Sequence, residues 1–428
     1  MVKIKGNREL NNAAWIIGEQ VFQMAISFFI MILSARYLGP SNYGLINYTA
    51  SFVTFTTSVV TLGMDGVVIK KMVDFPDREG EYLGSCMAFR LVSAFVCGAG
   101  SIAVVWMLNP GDNLMLMLVA VQSVQLIFKA VSVLDSWFQR HLKAKYVSLA
   151  KMLSCIIVAA YRIYLLVTRK SVVWFAFSST LTMLVIAVVL VISYQKNKNS
   201  RLKVSVKCGF DVLKDSYHFI ISGLMTAIYG QMDKIMLGGM ISSASVGFYT
   251  TAASLCSMWL FVPLAVINSL RPGILEQKSR GNEQLYMFKL QKLYSIIIWI
   301  CMIVSIGVFV FGGFAIRILY GEAYSGAIRP LKILIWSETF AMIGSARGAW
   351  ILAENKNKYV KYYLGMGAAL NLLLNSTLIP VYGAEGAAVA TLITQIFTSM
   401  IAPLLFKGTR EHTRIVLQSV NFIRFLRS

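Results

Sequence analysis

Charge is what this chain has least of. Only 14% of its 428 residues are Asp, Glu, Lys or Arg, against about 25% in a soluble domain. Acid is the scarcer sign: 19 acidic residues stand against 40 basic ones. The three histidines, His141, His218 and His412, are far apart in loops or at a span end, so none has the partners a metal site needs. The six cysteines, Cys86, Cys97, Cys155, Cys208, Cys256 and Cys301, show no C-x-x-C spacing, which leaves no disulfide or zinc framework to read. There is no P-loop, no G-x-S-x-G and no H-E-x-x-H, so ATPase, serine-hydrolase and zincin chemistry have no anchor. Any work this chain does must draw on an ion gradient or on the gradient of its own substrate.

Apolar sequence is what there is in abundance, at 57% of residues with a mean hydropathy of +0.67. A membrane-spanning helix needs about 20 such residues in a row. Twelve runs meet that ruler, at about 13–35, 43–67, 83–108, 114–138, 145–167, 171–193, 216–240, 246–269, 292–318, 328–352, 359–379 and 386–406. The first is too long for a signal-peptide core and lacks a small-residue cleavage site, so it is expected to be retained. On a soluble protein a charge of +21 would suggest nucleic acid. Here it follows the positive-inside rule. Outside the runs, alternate segments are rich in Lys and Arg, while the segments between them hold only Arg36, Arg169, Lys170, Arg317 and Arg329. The alternation predicts both termini in the cytoplasm and no nucleic-acid partner.

The Lys-rich stretch from Gln195 to Ser216 divides the runs into two sets of six. The expected organisation is a six-helix bundle over 1–194, a cytoplasmic basic linker over 195–215, a second six-helix bundle over 216–407 and a cytoplasmic basic amphipathic tail over 408–428. Internal similarity supports a repeat. Gly44, Ala50 and Ser51 recur as Gly247, Ala253 and Ser254, and Trp137, Lys143, Lys145, Tyr146 and Val147 recur as Trp350, Lys356, Lys358, Tyr359 and Val360. An even number of spans per half makes these parallel repeats about an axis along the membrane normal. In the tail, Ile415, Val416, Val420, Phe422, Ile423 and Leu426 alternate with arginines, the pattern of a basic amphipathic helix on the inner leaflet.

Polar residues inside the runs are the candidates for chemistry. Asn47, Ser51, Thr54, Ser58, Thr61 and Asp65 recur at steps of three and four, one face of a helix that looks at water or at partner helices. Gln122, Gln125, Lys129, Ser132 and Ser136 do the same in the fourth run, with Asp135 beside them. Arg90, Lys129, Lys151 and Arg162 all fall inside runs of the first half. A bare charge in hydrocarbon is costly and usually faces a protein interior or a wet cavity, so these cations read as substrate-binding groups for an anion. Gln122, Gln125, Asn47, Ser51 and Thr54 read as the polar lining of the same cavity. Among acids within the runs, Asp65, Asp233, Glu338 and Glu19 are the candidates for carrying a coupling ion, H⁺ or Na⁺. Their alternative role is to pair with neighbouring cations.

Several stretches resemble a known family. Ala35-Arg36-Tyr37-Leu38-Gly39-Pro40-Ser41-Asn42-Tyr43-Gly44 resembles the R-x-LG-x-x-x-YG element of Wzx-type bacterial polysaccharide flippases. Asp233-Lys234-Ile235-Met236-Leu237-Gly238 is similar to the family's D-x-x-x-LG, and Val246-Gly247-Phe248-Tyr249-Thr250-Thr251-Ala252 to its VG-x-Y-x-x-A. Leu319-Tyr320-Gly321-Glu322-Ala323-Tyr324 is similar to L-F/Y-G-x-x-Y. The segment from Asn371 through Leu378-Ile379-Pro380-Val381-Tyr382-Gly383-Ala384-Glu385-Gly386-Ala387-Ala388 resembles the N…LIP-x-(Y/W)G-x-x-GAA signature. These are turn and packing elements, so they speak to fold and class more than to chemistry.

The resemblance implies the fold of the multidrug/oligosaccharidyl-lipid/polysaccharide (MOP) exporter superfamily, which also holds MATE exporters and the lipid II flippase. That fold is all-α, with about twelve transmembrane helices in two six-helix repeats around a central cavity. The activity it implies is translocation of an undecaprenyl-pyrophosphate-linked oligosaccharide repeat unit, for O-antigen or capsule, across the bacterial inner membrane. It implies a transporter rather than an enzyme, no cofactor beyond a coupling H⁺ or Na⁺, and membrane lipid, a polysaccharide polymerase and a chain-length regulator as partners. Two other readings stay open: an ion-coupled small-molecule exporter, and a non-transporting scaffold of a polysaccharide assembly complex.

Overall fold

A computed structural model describes residues 2–197 and 201–420, with side chains from Trp15 onward. Among the described residues every element is helical and there is no strand. The chain divides into two compact units, Met1–Gln231 and Met232–Ser428. The first holds α1 (Val2–Val60), α2 (Met64–Asp74), α3 (Glu79–Leu108), α4 (Asn113–Ser123), α5 (Gln125–Val131), α6 (Leu134–Arg140), α7 (Ala144–Val167), α8 (Val172–Asn197) and most of α9 (Val206–Met240). The second holds α10 (Ser243–Ser257), α11 (Phe261–Ser279), α12 (Glu283–Tyr320), α13 (Ile328–Ala353), α14 (Val360–Ile396), α15 (Ala402–Leu405) and α16 (Arg410–Gln418).

Each of the twelve apolar runs falls on helix. By length and apolar composition alone, seven helical stretches among the described residues are fit to cross a membrane, or eight if the bent pair α10–α11 is one span. Two features explain the smaller number. Trp15–Asp74 and Asn357–Leu405 each contain a bend: Gly39, followed by Pro40, sits at φ 70, and Gly383 sits at φ 55. A left-handed glycine and a proline with no N–H stop a helix, so each stretch holds two of the expected spans. The other cause is polarity. Helix α9 carries Asp233 and Lys234, and α13 carries Lys332, Glu338 and Arg347. Three helix starts are capped by side chains that accept a backbone N–H: Asp112 from Met115 (2.9 Å), Ser242 from Ser245 (3.2 Å) and Asn282 from Leu285 (3.1 Å). Such caps satisfy donors that no helix can satisfy internally.

The Trp–Lys repeat is a structural repeat as well. Trp137 and Trp350 are each buried in the core of their own unit. Lys143 lies 5.2 Å over the Trp137 ring and Lys356 lies 4.4 Å over the Trp350 ring. Both turns pass through a left-handed residue, Leu142 (φ 51) and Asn355 (φ 54). The next N–H then reaches back to close the helix: Lys143 to Phe138 O and Lys356 to Ile351 O, both at 2.9 Å.

Two segments differ from a simple linker and a simple surface tail. The stretch after residue 200 packs onto α3: Lys203 N donates to Gly80 O (3.1 Å), and Ser205 N donates to Ser85 Oγ (2.8 Å). Helix starts at Val206, and Cys208 and Val212 join the core of the first unit. Residues 198–200 lie outside the described residues. The tail helix α16 packs part of its apolar surface on protein, while Leu417 is exposed. Ile415 and Val416 are buried with Tyr286, Tyr294 and Trp350, and Thr413 donates to Met400 O (2.9 Å). Of the other apolar positions of the expected amphipathic helix, Val420 is exposed, and Phe422, Ile423 and Leu426 lie outside the described residues.

Two predictions follow from this packing. A Cβ on Gly386, inside the Gly383–Ala388 signature, would stand 2.6 Å from the carbonyl carbon of Leu378. Backbone cannot yield as a side chain can, so Gly386→Ala is expected to destabilise by about 1–3 kcal/mol. Gly100→Ala, with open space around its Cβ, serves as the control. Thermal unfolding of both variants in detergent checks this, and an unchanged midpoint for Gly386→Ala would refute it.

The second concerns His412, which is fully buried between Tyr294 of α12 and Trp350 and Arg347 of α13. Neither ring nitrogen has a hydrogen-bond partner among the described residues. Burial, with the Arg347 charge behind it, pushes the imidazole well below its ordinary range. The docked helix therefore favours the neutral ring. Its stability is fully present above the unfolded-state pKa of about 6.5 and declines as the pH falls below that, because the undocked state then binds the extra proton. Hydrogen exchange over Arg410–Gln418, corrected for intrinsic rates, should be faster at about pH 5.5 than at about pH 7.5. His412→Phe should abolish that difference, and a difference that persists in the variant would exclude His412 as its source.

Candidate functional site

The first unit gathers most of the charged candidates into one alternating network. Arg90 is 0% exposed, and its Nη2 donates to Asp65 Oδ1 at 2.9 Å. Asp65 itself is 60% exposed. Nε and Nη1 of Arg90 are buried with no partner among the described residues. Lys129, half-buried, lies in the field of Asp65, Arg90, Asp135 and Lys151. Among the described residues it makes neither an ion pair nor a side-chain hydrogen bond. Asp135 in turn lies in the field of Lys151, Lys129 and Asp65. Lys151 Nζ stands 3.7 Å from Glu19, which is 5% exposed. The sequence leads one to expect cations waiting for an anion. The fold instead sets an acid beside Arg90, Lys129 and Lys151, because a charge in an apolar bundle is stable only when answered.

Arg162 is the exception. Among the described residues no carboxylate lies within ion-pair distance of it. Its Nε and Nη2 both donate to Ser178 Oγ, at 3.0 and 2.8 Å, and Tyr43 and Cys155 are near. Arg162 and Lys151 line one cavity of about 310 Å³ between α1, α7 and α8, with Gln23, Ser27, Ser154 and Thr182. A second cavity of about 370 Å³ lies beside it, lined by Glu19, Gln20, Asp135, Gln139, Ser148 and Lys151. Arg90 and Lys129 line neither.

The neutral polar candidates are mostly engaged in packing. Gln122 is buried and donates to Ile46 O (3.2 Å), tying α4 to α1. Asn47 donates to Tyr43 O and Ser51 to Asn47 O, each at 2.7 Å, one turn back on their own helix. Thr56 meets Ser101 of α3 at 3.2 Å. Gln125 is half-buried at the start of α5, and Thr54 is exposed. Hydroxyls that bond back along the helix satisfy themselves without a cavity.

In the second unit Asp233 is the centre. It is 5% exposed. Asn375 Nδ2 donates to its Oδ1 at 2.6 Å, and Thr391 Oγ1 donates to its Oδ2 at 2.8 Å. Tyr249 OH donates to the same Oδ2. Asn375 also donates to Asn371 Oδ1 at 3.0 Å, while its own Oδ1 is buried and unpartnered. The cluster thus joins α9, α10 and both halves of α14. Sequence reasoning selected Asp233 but missed Tyr249, Asn371, Asn375 and Thr391 as its partners. The signal for two of them was there: asparagines four apart in an apolar run share a helix face. Glu338 is half-buried in α13, with no ion pair or hydrogen bond among the described residues. The fold thus gathers Arg90, Asp65, Lys129, Lys151 and Glu19 in the first unit, while Asp233 and Glu338 belong to the second.

Comparison with known proteins follows the same lines. The chain is 25% identical over 203 residues to the probable low-salt glycan biosynthesis flippase Agl15 of Haloferax volcanii, covering 46% of this chain and 42% of that protein. It is 22% identical over 243 residues to the lipid II flippase MurJ of Bacillus subtilis, covering 51% and 45%. The chain therefore spans less than half the length of these curated relatives. Among solved structures, the lipid II flippase MurJ in an inward closed conformation superposes with a TM-score of 0.74 at 16% identity, over 97% of this chain and 93% of that one. An inward-facing MATE family transporter of the MOP superfamily gives a TM-score of 0.67 at 12% identity, over 92% and 95%. The fold is that of the MOP superfamily, an all-α membrane protein of many spans. The model of the polysaccharide biosynthesis protein family matches residues 10–276, more than half of the sequence, and the chain belongs to that family.

Proposed function

We propose that the chain is a flippase that moves a lipid-linked oligosaccharide across a membrane by alternating access. The observation that carries this reading is a cavity in the apolar helices of a chain from the polysaccharide biosynthesis family, lined by polar groups and by Arg162, which has no acid partner among the described residues. An undecaprenyl-pyrophosphate-linked repeat unit supplies the anion such groups suit, through charge-assisted hydrogen bonds. The names of the curated relatives, all flippases, point the same way. The proposed setting is a bacterial inner membrane with both termini in the cytoplasm, and a polymerase and chain-length regulator are the proposed partners. Deleting the gene in its host should halt polymer export. The lipid-linked unit should then accumulate in a pool reachable only from the cytoplasmic leaflet. Unchanged polymer and an unchanged lipid-linked pool would refute the reading.

We propose further that Asp233 carries the coupling ion. Its carboxylate is buried and held by three neutral donors, Asn375, Thr391 and Tyr249, with no ion pair among the described residues, and carboxylate oxygen is a ligand that hard cations prefer. A proton on Asp233 answers the same chemistry, and comparing Na⁺ and H⁺ gradients distinguishes the two. Asp233→Asn keeps the shape and removes the charge. It should insert normally but lose the response of transport to the gradient, and the effect of the coupling ion on substrate affinity, about 5–150-fold, should vanish with it. Full gradient-driven transport by that variant would exclude Asp233 from coupling.

A further inference from the structure

We propose that the cavity beside Arg162 binds an oxyanion carried on a sugar, a carboxylate or a phosphate; the inference rests on the lipid-linked glycan reading and names the cargo chemistry that reading leaves open. The argument begins with charge. Arg90 has Asp65, Lys151 has Glu19, and Lys129 stands between Asp65 and Asp135. Arg162 has no acid within ion-pair reach among the described residues, though it lies within a membrane-spanning helix. An unanswered guanidinium there is costly to keep, and a bound anion would answer it.

Geometry makes the group ready for such a ligand. Ser178 Oγ donates to Phe175 O at 2.6 Å and accepts from both Nε and Nη2 of Arg162. With one donor and two lone pairs, that hydroxyl is saturated, and it holds the guanidinium in a fixed orientation. Arg162 Nη1 makes no hydrogen bond among the described residues, and the side chain lines the cavity. A planar fork held in place suits a carboxylate or phosphate better than a flexible ammonium does.

The walls suit a sugar. Gln23, Ser27, Ser154 and Thr182 bring an amide and three hydroxyls to the same cavity, and polar groups of this kind exchange hydrogen bonds with sugar hydroxyls. Its volume of about 310 Å³ falls at the small end of ligand pockets, about 300–1,000 Å³. Lys151 is eleven residues away on α7, about 16 Å at helical rise. One small anion cannot bridge both cations, and Lys151 already has Glu19. The anion therefore sits at the Arg162 end, and the polar wall toward Lys151 faces the rest of the sugar.

The test uses the purified full-length chain in nanodiscs, with D-glucuronate, α-D-glucose 1-phosphate, D-glucose and inorganic phosphate as probes, read by titration calorimetry. One or both anionic sugars should bind, and the better of the two tells carboxylate from phosphate. Arg162→Gln should weaken that binding by about tenfold or more, and Arg162→Lys should fall between, since charge survives without the fork. Gln23→Leu leaves the guanidinium in place and should weaken the anionic sugars too; it serves if the Arg162 variants do not fold. Glucose binding as tightly as the anionic sugars, inorganic phosphate doing so, or equal affinity in Arg162→Gln would each overturn the proposal. Probe binding needs neither a lipid carrier nor a gradient. A chain that moves lipid-linked glycans yet binds no anionic sugar defeats this inference alone, whereas one that binds them yet leaves lipid-linked glycans in place defeats only the transport reading.

Discussion

A charge among apolar helices must be answered by another group, and the first unit is organised around that requirement. Arg90 is wholly buried, yet its one direct acid, Asp65, is largely exposed. The pair therefore links an interior guanidinium to an open surface. From there the signs alternate through Lys129, Asp135 and Lys151 to Glu19. Breaking such a network at one member leaves its neighbour buried and unpaired, which is far more damaging than the net worth of the pair. The acids in these spans are thus as much part of the structure as the cations, and a low count of acids makes each placement more constrained.

The same rule governs the backbone. Hydrocarbon offers no hydrogen bonds, so every N–H and C=O must be satisfied inside the protein. Long helices do this by themselves, and the points where they stop need a device. Gly39 with Pro40, and Gly383, allow sharp turns within otherwise continuous helix. The two Trp–Lys turns show one solution reached with different residues. Asn355 accepts the left-handed conformation readily, whereas Leu142 takes it against its side-chain preference. What the two turns share is the cap that follows, from Lys143 to Phe138 and from Lys356 to Ile351, and the lysine laid over the tryptophan. A cation over an aromatic face is itself favourable, which explains why that spacing recurs when the turn residue does not.

Much of the fold was legible because these rules leave a trace in one dimension. Apolar length marks spans, basic alternation marks sides, and glycine with proline marks turns. The Gly383–Ala388 signature is such a trace: Gly386 lies against the Leu378 backbone, where no side chain fits. The candidate site was legible only in part, because partnership is a three-dimensional fact. Arg90 and Asp65 are distant in sequence, and so are Lys151 and Glu19. Nothing in the periodicity of one helix tells which acid its neighbour will bring. The same holds for Gln122, whose place on a polar stripe hid a contact with the Ile46 carbonyl. The tail helix shows a second limit: an amphipathic pattern shows that one face is apolar, not whether lipid or protein covers it. Ile415 and Val416 are covered by protein.

The two units bury their polar groups by different means, and the difference bears on which acid is free to act. In the first, Asp65 and Glu19 face guanidinium or ammonium partners. A carboxylate committed to a fixed cation has little attraction left for a mobile one. In the second, Asp233 stands next to Lys234 in sequence, but successive residues on a helix point about 100° apart and do not face each other. Its direct partners are instead the neutral donors Asn375, Thr391 and Tyr249. Neutral donors orient a carboxylate without forming an ion pair with it. Glu338 has no such donors among the described residues, and nothing orients it. Of the four acids, Asp233 alone combines burial with side-chain hydrogen bonds from neutral donors among the described residues, and its proposed coupling role rests on that geometry.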